Sequence, residues 1–274
     1  MKKQNLKDGS RGYHSLAWLH YGLLQQGKYS EAEQILNDML ALVPKDPTKG
    51  ARGYLLGMQS RQMAEIGVDS KNTVLDIDVD VDDIGIMAQS VRSSLRAQLA
   101  LHNNAVNLIT VEIDWLSKRI VVASQEMVAG GLAMCAAGTS RYAPTENSVK
   151  SAEVILNQIK GMKALLEDRE DQFEVHITKA VELEEETNLP SNPPRITKPS
   201  FELLGEWLLK KGKYAEAISQ FDKALARMPR RSKSLMGKME AYKALNQTDE
   251  VTEVKNELQS IMAHADLEVR GFLE

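Results

Sequence analysis

Cysteine, long apolar runs, aromatic side chains and excess positive charge are all scarce in this chain, and each scarcity removes a class of protein. The single cysteine, Cys135, excludes an intrachain disulfide framework and supplies no metal cluster by itself. A reducing compartment fits, and the cytoplasm is the expected location. No stretch of about 18 uncharged apolar residues occurs, so a membrane span is not expected. The nearest approach, residues 120–138, is interrupted by Gln125 and Glu126 and is rich in glycine and alanine; it reads as a buried, closely packed helix. The first eleven residues are polar and lack the apolar core of a secretory signal. With 34 basic and 38 acidic side chains the net charge is −4, which gives no polyanion-binding field and no expectation of a nucleic-acid partner. Aromatics are only 5% of the residues against 12 methionines, a balance that suits a helical interior better than a β one. Strand patterns are almost confined to residues 74–81.

What remains is ample for a globular fold: 274 residues, 43% apolar and 26% charged. One stretch organises it. Phe201, Leu204 and Gly205 are followed by Gly212, Tyr214, Ala217, Phe221, Ala224 and Leu225, and then by Pro229. Gly205 and Ala217 are small where one helix must lie close to its partner. Gly212 allows a tight turn, and Pro229 ends the second helix. The same spacing occurs 185 residues earlier, in Leu16, Leu19, His20, Gly27, Tyr29, Ala32, Leu36, Met39, Leu40 and Pro44. Its one clear departure is His20 in the place of Gly205, which predicts a slightly wider helix pair. Downstream, Leu235, Tyr242, Asn246, Val251 and Leu258 continue the pattern, with Asn246 at the turn because asparagine tolerates left-handed backbone.

This spacing resembles the tetratricopeptide (TPR) repeat, a helix–turn–helix unit of about 34 residues. Residues 154–185 read as a weaker unit with Gly161 at the small position and Ile177, Ala180 and Val181 as its packing stripe. A proline-rich loop carrying Pro190, Pro193, Pro194 and Pro199 follows. Residues 52–66, 84–101 and 105–123 read as further helices. The expected fold is therefore all-α: a right-handed TPR-like α-solenoid of antiparallel helix pairs, about twelve helices in one continuous array. Its parts are residues 1–68, a helix pair plus a following helix; residues 69–147, a diverged middle with an acidic connector; and residues 148–274, the C-terminal repeats. Ordering one 34-residue pair costs about 50 kcal/mol at roughly 1.5 kcal/mol per residue, which requires on the order of 2,000 Å² of apolar burial. Two helices facing only each other fall short, so neighbours must stack on them.

The order of features is also similar to the C-terminal half of longer bacterial TPR-containing proteins. The likeness rests on Tyr13, His14, Ser15, Leu16, Tyr21 and the Leu24-Gln25-Gln26-Gly27 run at one end. At the other it rests on Pro194, the 201–229 unit and Leu235-Met236-Gly237-Lys238. It implies a scaffold without catalytic residues, and further repeats ahead of Met1 would leave the first pair with a raw packing face.

Candidate chemistry is thin. Asp76, Asp78, Asp80, Asp82 and Asp83 could gather carboxylates around a hard cation, but the glutamate that ends a helix–loop–helix calcium loop is missing: Met87, Gln89 or Val91 stands there. The plainer reading is an acidic connector whose Asp82 or Asp83 caps the next helix. Residues 22–29 nearly spell a phosphate-binding loop, but Tyr29 replaces the hydroxyl residue that holds magnesium and no strand precedes it. The five histidines are scattered, Cys135 sits among small apolar residues, and no acyl-transfer elbow occurs. No metal or cofactor is expected.

A concave surface lined by the first helix of each pair would then carry the function. It would present His14, Trp18, Tyr21 and Gln25 at one end and Glu202, Glu206, Lys233, Glu240 and Lys243 at the other. Trp and Tyr suit anchoring of a partner's side chain, and the charges would set register. Of the Lys, Arg and Asn set with which some TPR domains clamp a carboxylate, only Lys233 has a counterpart here. The expected function is a non-catalytic adaptor for a protein or peptide. The alternatives are a structural assembly element, self-associating as a homo-oligomer through residues 12–44, and a metal-dependent or enzymatic role around the aspartate run.

Overall fold

Five of the described helices end in left-handed turns, and the Thr48 and Thr145 side chains cap the starts of two. The computed structural model describes residues 12–44, 48–67, 79–132, 143–190 and 193–271, apart from the side chains of 128–132. Among them are twelve helices and no strand: α1 (Tyr13–Gln25), α2 (Tyr29–Leu42), α3 (Lys49–Ile66), α4 (Ile86–His102), α5 (Val106–Leu132), α6 (Glu146–Leu166), α7 (Glu170–Glu185), α8 (Ser200–Lys210), α9 (Tyr214–Arg227), α10 (Ser232–Ala244), α11 (Thr248–Ile261) and α12 (Leu267–Arg270). No helix among the described residues is long and apolar enough to cross a membrane.

Five of the connections share one geometry. At Gly27, Asn104, Asp168, Gly212 and Asn246 the backbone takes a positive φ, between 53° and 73°. The following residue donates its N–H to the carbonyl five positions back, as Lys28 does to Leu23 and Lys213 to Leu208, both at 2.9 Å. This is the Schellman closure, which satisfies carbonyls that the helix end would otherwise orphan. The expected turns at Gly27, Gly212 and Asn246 are all of this kind. Asp168 and Asn104 use it too, with short polar side chains that tolerate the left-handed region.

Packing in the 201–229 unit turns on Phe221, fully buried on α9. A Cβ at Gly205 on α8 would lie 2.8 Å from its ring, and one at Gly237 on α10 only 2.3 Å away. The ring is clasped between two glycines, which is why both sites must lack a side chain. Gly161 on α6 likewise sits against Phe173, where a Cβ would stand at 3.3 Å. The largest apolar cluster runs from Tyr13 to Ile159, so α1 to α6 share one core.

Several expectations need correction. Neither Asp82 nor Asp83 caps α4: its N-cap is Gly85, and the buried Gln89 amide donates instead to the carbonyls of Val81 and Ile84 at 3.0 and 2.9 Å. Residues 79–81 form no strand, and 74–78 lie outside the described residues, as do Cys135 and the rest of 133–138. The helix around residues 120–132 is not buried all round. Ile120 and Ala123 are buried, but Val121 and Val122 are exposed, as are Leu108 and Val111 earlier on α5. The proline-rich connector after α7 is a loop, yet Pro193, Pro194, Ile196 and Thr197 are buried.

Candidate functional site

The helix that carries interior polarity is α3, and the chain's two ends meet on it. An amphipathic helix normally turns one polar face to water. In α3 the run Gln59, Ser60, Arg61, Gln62 and then Glu65 is buried. Ser60, Arg61, Gln62 and Glu65 each reach a partner on another element. Nε2 of His20 on α1 donates to Oε1 of Gln62 at 2.9 Å. The Ser60 hydroxyl lies 2.7 Å from that of Thr197. Nε of Arg61 donates to the Pro194 carbonyl at 3.4 Å. Oε1 of Glu65 accepts from Gln25 at 3.1 Å and from Arg231 at 2.6 Å.

Arg231 is the centre of this network. It follows Arg230, which takes a positive φ of 61° and turns the chain inward after α9. Only 1% exposed, Arg231 holds Glu202 through Nε at 2.7 Å and Nη2 at 2.9 Å, and Glu65 through Nη1. Ser234 donates to the same Glu202 carboxylate at 2.6 Å. Burial alone would lower the Arg231 pKa and raise that of Glu202. The mutual attraction outweighs it, with Lys198 adding to the pull, so Glu202 stays well below the usual carboxylate range and Arg231 well above its own. Gln25 joins the same cluster from α1: its Oε1 accepts from the N–H of Ser232 at 3.0 Å and from its hydroxyl at 3.1 Å.

A second contact fastens the ends at the α1–α2 turn. The N–H of Asp266 donates to the Gly27 carbonyl at 3.0 Å, and Oδ2 of Asp266 accepts from both the N–H and the hydroxyl of Ser30 at 2.9 Å. A Cβ at Gly27 would come within 2.9 Å of Ala265 and Val269. The turn end of the first pair is thus covered by the chain's own last segment.

The nine expected groove residues divide accordingly. Gln25 and Glu202 do not face a groove; both are buried in the Arg231 cluster because they satisfy buried partners there. Tyr21 is half-buried beside it, its phenol pKa raised by burial against the opposing pull of Arg231. His14 and Trp18 stand together at the surface. The Trp18 indole N–H donates to Nε2 of His14 at 3.2 Å, which leaves the Nδ1–H of His14 for the Tyr54 hydroxyl at 3.4 Å. Glu206 pairs with Lys198 on the surface. Lys233 is half-buried, and Glu240 and Lys243 pair with each other one helical turn apart at 3.0 Å. The two ends of the expected groove are therefore joined inside by Gln25 and Glu202, while their remaining residues lie apart.

A concavity lies elsewhere. A cavity of about 570 Å³ opens between α3, the N-terminal half of α4, the start of α6 and residues 187–190 and 193–196. Gly53 and Gly57 keep one wall low, and Tyr54 and Arg61 stand in it. Of the aspartate run, Asp76 and Asp78 fall outside the described residues. Asp83 is bound by Arg52 at 2.8 Å and Lys49 at 3.6 Å, and the Asp80 carbonyl accepts from Arg52 at 2.6 Å. Sequence reasoning missed Arg61, Glu65 and Arg231, since a charged residue on a helix or after a proline reads as solvated. No family model matches the chain, and neither a curated protein nor a solved structure matches it.

Proposed function

We propose that the chain is a non-catalytic, TPR-like helical-repeat module that holds a protein or peptide segment at the aromatic rim formed by His14, Trp18 and Tyr54. The repeat reading is supported by the 185-residue echo of one spacing and by its shared turn. The observation that carries the binding reading is the state of Trp18. Its indole is 42% exposed, next to Leu19 at 53%, yet it is held edge-on to His14 by a hydrogen bond. An exposed aromatic fixed in one orientation loses little entropy on contact, the property that makes Trp and Tyr binding anchors. Tyr54, which steadies His14, also lines the cavity, so rim and concavity are continuous.

The same exposed pair on α1 would suit a second copy of the chain, and one experiment separates the two. Capture by the intact chain is compared with capture by Trp18→Ala and by Glu240→Ala, beside sedimentation of each. A bound protein lost with Trp18→Ala and kept with Glu240→Ala supports the adaptor. A Trp18-dependent dimer with no other protein captured supports self-association instead. Equal capture by all three chains removes the rim from the account.

A further inference from the structure

We infer that the 570 Å³ cavity is a binding site for an oxyanion, a phosphate or carboxylate group, taken by Arg61 and the first turn of α4. The assignment does not rest on binding at the Trp18 surface.

Four observations converge on it. Arg61 is 7% exposed and forms part of the cavity wall, yet no carboxylate among the described residues pairs with it. Its Nε reaches only the Pro194 carbonyl, at 3.4 Å, and its buried Nη1 has no hydrogen-bond partner. A buried guanidinium in that state is costly, because the protein replaces little of the hydration it removes. The contrast with Arg231, which has two carboxylates, shows that the fold can supply such partners where structure alone requires them.

Next, helix starts surround the space. Lys49 and Gly50 of α3, Gly85 to Ala88 at the start of α4, and Thr145, Asn147 and Ser148 at the start of α6 all line the cavity. Helix N-termini carry partial positive charge and N–H donors free of intrahelical partners. The start of α6 is occupied by its own Thr145–Ser148 capping box, and the start of α3 by the Thr48 hydroxyl. The start of α4 differs: Gly85 caps it without any side-chain hydrogen bond, and Ile86 and Met87 are buried. That end suits an anion.

The third observation is the sign of the remaining wall. Arg195, Arg227 and Lys49, the last paired with Asp83 at 3.6 Å, also line it, against one lining carboxyl, Glu184. Glu184 is already engaged, accepting the N–H of Ser200 at 2.8 Å. Fourth, Nη2 of Arg227 is already held by the segment after α7, donating to the Thr187 carbonyl at 3.1 Å and hydroxyl at 2.8 Å, although its Nε has no partner. Arg195 is exposed and Arg227 is held through Nη2, so Arg61 is the buried guanidinium whose donor fork is offered to an oxyanion.

Thermal unfolding of the intact chain, titrated with sodium phosphate and separately with sodium succinate against sodium chloride of equal ionic strength, tests the assignment. The expected result is a saturable rise in Tm with at least one of the two probes. A response to phosphate alone points to a phosphate group, to succinate alone a carboxylate, and to both a general oxyanion site. Arg61→Met should lower the apparent affinity about tenfold or more, the loss expected for a charge-assisted bond. Without anion its Tm should match or exceed that of the parent chain, since an unpaired buried charge is removed. Arg61→Lys, which keeps charge but loses the fork, serves if the methionine variant does not fold, and should also bind more weakly. A Tm unmoved by both probes, or moved equally in parent and variants, overturns the assignment.

Discussion

The helix pairs α1–α2 and α8–α9 share a spacing and a turn but not a centre. In both, a glycine with positive φ closes the first helix and an alanine at zero exposure faces the partner: Gly27 with Ala32, and Gly212 with Ala217. In the later pair the space opposite α9 is left empty by Gly205 and Gly237 and filled by the Phe221 ring. In the earlier pair the matching positions hold His20, Arg52 and the smaller Leu36. The later unit spends its glycines on apolar contact with its neighbours. The earlier one carries polar groups that reach α3 and the 79–83 segment: His20 bonds Gln62, and Arg52 bonds Asp80 and Asp83. One spacing can thus serve apolar stacking at one place and a polar fastening at another, with the same closing turn.

The largest expected effect follows from His20. It is fully buried, its Nδ1 has no partner, and burial lowers its pKa from 6.5 to about 4, although the Gln62 bond works the other way. The unfolded chain therefore takes up this proton between pH 6.5 and 4 while the folded chain does not. The contribution is present in full above pH 6.5 and is lost as the pH falls toward 4. A shift of this size is worth about 3 kcal/mol at about 1.4 kcal/mol per unit. Denaturant titrations from pH 7 to 4 should show the parent chain losing that much more stability than His20→Gln. Parallel profiles would mean that His20 is hydrated and that the pair does not differ from α8–α9 in this way.

A smaller effect distinguishes the two turns. Gly212→Ala meets only strain, since little lies near it and φ is 73°, so it should cost about 1–2 kcal/mol. Gly27→Ala carries the same strain and also drives a methyl group into Ala265 and Val269. It should cost roughly 1–3 kcal/mol more, the usual range for overpacking. Chemical denaturation of both variants measures the difference. Equal losses would show that the C-terminal segment does not cover the first turn.

The sequence carried the local structure well and the interior poorly, for a physical reason. Turn glycines, small contact residues and helix-breaking prolines act over a few residues, so their spacing can be read directly, and the three turns expected at Gly27, Gly212 and Asn246 all have the left-handed backbone. Asp168 and Asn104 carry weaker signals of the same type. The position of α3 depends on what surrounds it, which no local period encodes. Gln59, Ser60, Arg61, Gln62 and Glu65 look like a solvated face until residues 194–197 and 231 are brought against them. The same reasoning placed Gln25 and Glu202 on an open groove because a solenoid was expected to keep its ends apart. Trp18 and His14, by contrast, stand together at the surface.

The central claim is that the first and last helices close on one another around α3. Spin labels on Glu31→Cys and Glu268→Cys, in a Cys135→Ser chain, test it by a single distance measurement between electron spins. Each label is within two residues of the Ser30–Asp266 contact, so the account predicts one short, narrow distance in the intact chain. A long or broad distribution, as separated solenoid ends would give, would contradict it.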